Sequence, residues 1–417
     1  MKQKLIPLLL CMTLLLGCLA GCGSEPAKVE ITESPAPTQT PEPTQAPAAE
    51  TPAAETEDPE AALLAARYRA AYETRDPDET VLLVNDEPVT WSQYFSWLYD
   101  IAGQMETAYS VTDWNEPRAE LSGIVMDSTF GSYVRSGVLR YIIQVAVIGQ
   151  KASELGITLS DAQRAEVDAE IDGYAARFGG MEGLEKVLAD NYITMDYFRT
   201  QLEAMTLINN IFESLYGPNG ENLPDEDAVA YLKDNDYLYA KHILFRTVND
   251  SLEPLPEEEA AQKKAEAEEV LAQLRACPDE DLPVLFDSLM QQYSEDTGLI
   301  SYPDGYYFQV GEMVPAFEAT VLELEENGMS DLVETDYGYH IIFCPPMSGD
   351  HVMGYDSNGT PYLIKAYVSA ALFDSIAQEW YDQAEQNVKY VDDFYMLDLN
   401  ELLGTTDAES GTAEAES

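Results

Sequence analysis

The stretch DYGYHIIF, residues 336–343, reads as a buried strand in which one polar side chain, His340, stands among aliphatic and aromatic residues. A second stretch, YAKHILF at 239–245, has the same form, with His242 followed by two aliphatic residues and a phenylalanine. The chain of 417 residues holds three histidines. A single histidine in a strand is ordinarily a hydrogen-bonded structural residue, because histidine is of intermediate burial. Two of the three in matched strand contexts weigh against that reading. If the two strands pair, both imidazoles can point to one face of the sheet.

The sequence between them predicts helices. PEEEAAQKKAEAEEVLAQLRA (256–276) has Pro256 in its first turn and acids at its positive dipole end. LPVLFDSLMQQY (282–293) puts Phe286, Leu289, Met290 and Tyr293 on one face. PAFEATVLELEENG (315–328) reads as a third helix closed by Gly328. Strand, helices, strand make residues 236–346 an α+β domain of ordinary size.

The flanking sequence is mostly helical. LLVNDEPVTWSQYFSWL (82–98) predicts a short strand, an Asn85-Asp86 turn and a helix beginning near Thr90. Leu139, Ile142, Ile143 and Ala146 share a helical face that stops near Gly156, and SDAQ (160–163) has capping-box spacing. Residues 61–235 are therefore a helical domain. Residues 347–403 are expected as an amphipathic helix, with Leu372, Ile376, Trp380 and Ala384 at helical spacing. It is expected to fold back onto the first helical region, making the α+β domain an insertion.

The ends read differently. Lys2 and Lys4 followed by LIPLLLCMTLLLG form an export signal over residues 1–21, too short for a comfortable membrane span. LAGC (19–22) resembles a bacterial lipobox, which implies lipidation of Cys22 and tethering to the extracytoplasmic face of the membrane. Residues 22–60 are rich in Pro, Thr, Ala and Glu, and with the acidic tail 404–417 they lack the apolar residues that would offset the entropy of ordering. Beyond Cys11, Cys18 and Cys22 only Cys277 and Cys344 remain, expected as free thiols. The formal charge of −54 repels nucleic acid and anionic surfaces.

Further residues lie between the two histidine strands: YSED (293–296), and VGEMVPAFE (310–318), which offers Met313 and Phe317 at i, i+4, one turn apart on one helical face. Two strand histidines with no close third ligand fit zinc spacing poorly, so no metal or other cofactor is expected. No nucleophile-elbow motif is present, and neither Cys277 nor Cys344 has a histidine beside it in sequence.

Together these segments resemble the parvulin family of peptidyl-prolyl isomerases. The carrying residues are His242-Ile243-Leu244, Tyr293-Ser294-Glu295-Asp296, Gly311-Glu312-Met313 with Phe317-Glu318, and Thr335 through Gly338 to His340-Ile341-Ile342. With the lipobox, spacer and helical flanks, the chain is similar to extracytoplasmic foldase lipoproteins of the PrsA/SurA type. The resemblance implies an antiparallel sheet with flanking helices inserted into a SurA/PrsA-like helical chaperone domain. It implies isomerisation of X-Pro bonds in unfolded or partly folded exported polypeptides. Met313, Phe317 and Phe308 would form the proline pocket. Asp296 would sit near the twisting carbonyl, and His242 and His340, with Thr335 as partner, would form a hydrogen-bonded pair behind it. The chain departs from the family pattern where Gly-Asp-Leu-Gly is usual: it has Pro303-Asp304-Gly305-Tyr306. The loop after the first strand is acidic apart from Arg246, which argues against phosphate recognition. A holdase whose parvulin domain only binds, and a solute-binding lipoprotein, are the competing readings. His351 falls outside every motif and reads as a surface residue.

Overall fold

The computed structural model describes residues 59–117, 129–355 and 359–404. The export signal, Cys22, most of the spacer and nearly all of the acidic tail lie outside the described residues. The chain divides into two compact units: Met1–Asn210 with Ile376–Ser417, and Ile211–Ser375.

The first unit opens with α1 (Pro59–Tyr72) and a hairpin of β1 (Thr80–Val84) and β2 (Glu87–Thr90). Asn85 and Asp86 both take positive φ, 48° and 68°. That geometry is what a two-residue hairpin turn demands, and Asn and Asp tolerate it. Thr90 then caps α2 (Trp91–Tyr109) through a complete capping box with Gln93. Next come α3 (Phe130–Glu154), α4 (Asp161–Arg177), α5 (Met181–Asp190) and α6 (Met195–Tyr216). Ser160 and Gln163 close the predicted capping box. Trp91, Phe95, Trp97, Val138 and Ile143 are among the side chains that form one buried cluster.

In the second unit, α7 (Asp225–Asp234) leads into the long strand β3 (Tyr237–Arg246). Then follow α8 (Glu257–Arg275), α9 (Leu282–Tyr293), a 3₁₀ turn (Thr297–Ile300) and β4 (Tyr306–Gln309). After α10 (Pro315–Glu323) come β5 (Gly328–Met329), β6 (Val333–Thr335) and β7 (Gly338–Cys344). The sheet is antiparallel in the order β4-β3-β7-β5, with β6 also on β7. Register pairs His242 with Ile342 and Leu244 with His340, so the two histidines are diagonal neighbours on one face. The opposite face buries Ile243, Phe245, Ile341 and Phe343 against α8 and α9.

Three local expectations change here. Asp336 and Tyr337 form a turn, and the strand starts at Gly338, because β6 doubles back onto β7. A side-chain carbon at Gly338 would strike the Phe245 carbonyl oxygen, and φ there is +143°. The helix predicted to run to Gly328 ends at Glu323, and Gly328 instead opens β5. Met313 precedes α10, which begins with Pro315 in its first turn, so Met313 and Phe317 do not share a helical face.

The segment after β7 also differs from a continuous helix. It begins with a hairpin of β8 (Val352–Tyr355) and β9 (Pro361–Leu363), where Gly354, Gly359 and Pro361 disfavour helix. Only then does α11 (Ile364–Gln386) start. Ile364 and Val368 pack on Ala228 and Leu232 of α7, so the second unit is wider than residues 236–346. The chain then returns to the first unit. β10 (Val388–Tyr390) pairs antiparallel with β1. Phe394 meets Tyr94 edge-on at 4.8 Å, and α12 (Leu399–Leu403) buries Leu399 and Leu403. The architecture is α+β, with the sheet domain inserted between two parts of a mostly helical one. Cys277 and Cys344 are free thiols.

Candidate active site

The edge of β3 builds the site. β4 pairs with β3 only as far as Ala240, which leaves the backbone of the following residues open on that side. The YSED segment, leaving α9, takes that place. Glu295 N–H donates to the Leu244 carbonyl at 2.8 Å, Ser294 Oγ accepts from Leu244 N–H at 3.1 Å, and Glu295 Oε2 accepts from Arg246 N–H at 2.8 Å. Lys263 of α8 holds the other Glu295 oxygen at 2.6 Å. These bonds satisfy an otherwise orphaned strand edge and carry the next residue, Asp296, to His242.

A continuous hydrogen-bond chain follows. Asp296 Oδ2 lies 2.9 Å from His242 Nε2, His242 Nδ1 lies 2.9 Å from His340 Nδ1, and His340 Nε2 lies 2.8 Å from Thr335 Oγ1. The rings of the two histidines stack at 5.1 Å and 13°. Both are buried. A carboxylate can only accept, so His242 Nε2–H is the donor. An uncharged His340 carries one ring N–H, and with Nδ1–H directed at His242 Nδ1 its Nε2 accepts from the Thr335 hydroxyl. Thr335 Oγ1 also accepts from Tyr337 N–H at 3.2 Å, which ties the end of the chain to the β6–β7 turn.

Electrostatics agree with that polarity. Burial raises the Asp296 carboxyl, but hydrogen bonds from His242, Tyr306 and the Gly298 N–H outweigh it and pull it down to about 2. Burial first, and then the neighbouring His242, push His340 down to about 3, against the opposing pull of Asp296. The carboxylate is thus ionised and His340 uncharged across the neutral range.

Above this polar chain lies an apolar wall. Phe317 meets His242 edge-on at 5.3 Å and His340 at 5.7 Å, and its ring is 6.1 Å from Phe308. Met313 packs on the same cluster. Of the three expected pocket residues, Phe308 and Phe317 are buried and Met313 is partly exposed. The structure therefore brings together His242, His340, Thr335, Asp296, Met313, Phe317 and Phe308. Cys22 lies outside the described residues.

Sequence reasoning missed three participants, and misplaced a fourth residue that lies elsewhere. Ser294 and Glu295 lay inside a quoted motif, but their task at the strand edge is a tertiary one. Tyr306 donates its hydroxyl to Asp296 Oδ2 at 2.5 Å and sits edge-on to His242 at 5.6 Å. Its only sequence signal was the departure from the family pattern. His351 is not a plain surface residue: its Nδ1 lies 2.7 Å from the Tyr307 hydroxyl, and its ring is 5.2 Å from Tyr239. It belongs to the other side of β3, away from the carboxylate.

Comparison with known proteins identifies the domain that holds these residues. Residues 228–344 match the PPIC-type PPIase domain family. The foldase protein PrsA of Halalkalibacterium halodurans is 29% identical over 213 residues, covering 49% of this chain and 56% of that one. PrsA of Caldanaerobacter subterraneus subsp. tengcongensis is 24% identical over 313 residues, covering 73% of this chain and 84% of that one. The chain spans about half the length of the first curated relatives it matches. Among solved structures, PrsA from Bacillus subtilis aligns over 75% of this chain and 93% of its own, at 19% identity and a TM-score of 0.23. The parvulin resemblance read from four sequence segments thus has a family match over the same region, and the likeness to PrsA foldases stands beside it.

Proposed function

We propose that this chain is an extracytoplasmic peptidyl-prolyl cis–trans isomerase that assists the folding of exported polypeptides and is tethered to the membrane through Cys22. The observation that carries the reading is the Asp296–His242–His340–Thr335 chain under the Phe317, Phe308 and Met313 wall, inside the segment that matches the PPIC-type family.

The chemistry needs no nucleophile. Rotation about an X-Pro bond faces a barrier of roughly 20 kcal/mol because conjugation gives the C–N bond partial double character. Uncatalysed exchange takes tens of seconds or longer. Conjugation places negative charge on the carbonyl oxygen, and twisting the bond removes it. An ionised carboxylate fixed near that oxygen therefore disfavours the planar state more than the twisted one. This is differential binding of the transition state. In this reading Asp296 supplies the charge, and the histidine pair and Thr335 hold it without shuttling protons. Met313 and Phe317, backed by Phe308, take the proline ring and exclude water. Among the described residues no helix is long and apolar enough to cross a membrane. The tether rests on the lipobox-like LAGC segment.

A protease-coupled assay on an Ala-x-Pro peptide tests the catalytic reading. Asp296→Ala is expected to lower kcat/KM by roughly a hundredfold, and Met313→Ala by roughly tenfold, chiefly through substrate binding. A wild-type rate at background would overturn it. Recovery of the Cys22→Ala chain in the membrane fraction at wild-type level would overturn the tether.

A further inference from the structure

We infer that Tyr306 is a positioning residue of this site: its phenol hydroxyl, donated to Asp296 Oδ2 at 2.5 Å, sets the orientation of the carboxylate against His242. The tether is a matter of geometry alone, and its catalytic consequence rests on the isomerase reading above.

Asp296 is held from three directions. Its Oδ1 accepts the Gly298 N–H of its own turn at 3.0 Å, while Oδ2 is shared by His242 and Tyr306. The first bond is local and moves with the loop. The other two come from separate strands, β3 and β4, and the register that sets Tyr306 opposite Ala240 places its ring beside His242. Two donors on one oxygen from rigid elements remove the rotation that a loop carboxylate otherwise keeps. The titratable groups facing Asp296 are His242 from β3, His340 from β7 and Tyr306 from β4. Burial, and then the hydrogen bond to Asp296, raise the phenol above its ordinary value, so it stays protonated and donates across the neutral range.

A second position belongs to the same device. A side-chain carbon built at Gly298 would collide with the Tyr306 hydroxyl. Glycine at 298 is the condition for the phenol to reach the carboxylate, so the two residues must be altered together for the contact to be exchanged for another. Tyr302 packs its ring 5.1 Å from that of Tyr306.

The test uses the full chain labelled with ¹⁵N-histidine. Three histidines keep the ring-nitrogen spectrum simple, and His242 Nε2 reports directly on the charge of Asp296. In Tyr306→Phe the acid transition of Asp296 is expected to move up by roughly one pH unit, and kcat to fall roughly tenfold with KM little changed. Gly298→Ala, which keeps the phenol but displaces it, is expected to produce the same shift, and the double variant no more than either alone. An unmoved transition in Tyr306→Phe overturns the proposal whatever the rate does. A shifted transition in a protein with no catalysis above background upholds the tether and removes only the isomerase reading.

Discussion

The two faces of the β3–β7 pair are made by alternate residues of the same two strands, and they hold opposite chemistry. One face presents Ile243, Phe245, Ile341 and Phe343 to α8 and α9 and is wholly apolar at its centre. The other presents His242 and His340 beneath Phe317. Burying a large apolar side chain contributes about 1.5–3 kcal/mol, whereas a satisfied internal hydrogen bond contributes about 0.5–1.5 kcal/mol. The apolar face therefore carries most of the stability. The polar face is tolerated because each of its four ring nitrogens has a partner. What that face gains is a single, oriented arrangement of charge.

The contrast can be broken from either side. The largest effect is expected on the apolar face: Phe245→Ala removes a fully buried ring and should cost about 3–5 kcal/mol. Hydrogen exchange of the β3 and β7 amides measures it. Tryptophan fluorescence serves as a control, since Trp91, Trp97, Trp114 and Trp380 all belong to the first unit. A loss no larger than that of a polar-face variant would dissolve the comparison.

A smaller effect should appear on the polar face with pH. Unfolded, His340 takes up a proton near its ordinary 6.5, but folded it resists until about 3. Its contribution is therefore complete above pH 6.5 and is lost as pH falls toward 3, at about 1.4 kcal/mol per pH unit. Asp296 extends the loss from 3.8 down to about 2, because its carboxylate is favoured in the folded state. Protection of the β7 amides, followed from pH 7 to pH 4.5, should fall with this slope in wild type and flatten in His340→Phe. An equal slope in both would show that other groups control the acid response.

The smallest effect sharpens the picture. Thr335→Val keeps the shape but leaves His340 Nε2 without its donor, at about 1 kcal/mol in stability. The ¹⁵N spectrum should show His340 losing its single tautomer, with catalysis reduced less than in Asp296→Ala. An unchanged tautomer would mean that the chain of donors does not begin at Thr335.

Much of this was legible locally. Thr90 and Ser160 announce their helices because capping depends on residues three apart. Asn85-Asp86 announces its hairpin because few residues accept positive φ in succession. The helix expected to reach Gly328, and the one expected to begin soon after residue 347, were overextended. Composition favoured helix there, while strand pairing with β7 and across β8–β9 drew the backbone away. His351 read as exposed because nothing near it in sequence foretold Tyr307.

The parity of β3 and β7 is written in the sequence: with a period of two, His242 and His340 fall on one face once their strands pair antiparallel. The sequence also supplied the types of residue that pair with a carboxylate and line an apolar wall. Long-range packing alone makes Ser294 and Glu295 complete the edge of β3, buries Phe308 and Phe317 while leaving Met313 partly exposed, and lets Tyr306 reach Asp296 past Gly298. The reason is range. Periodicity and capping act over a few residues of one segment, whereas a hydrogen bond joining side chains of different elements depends on their placement to within tenths of an ångström, which no local pattern encodes.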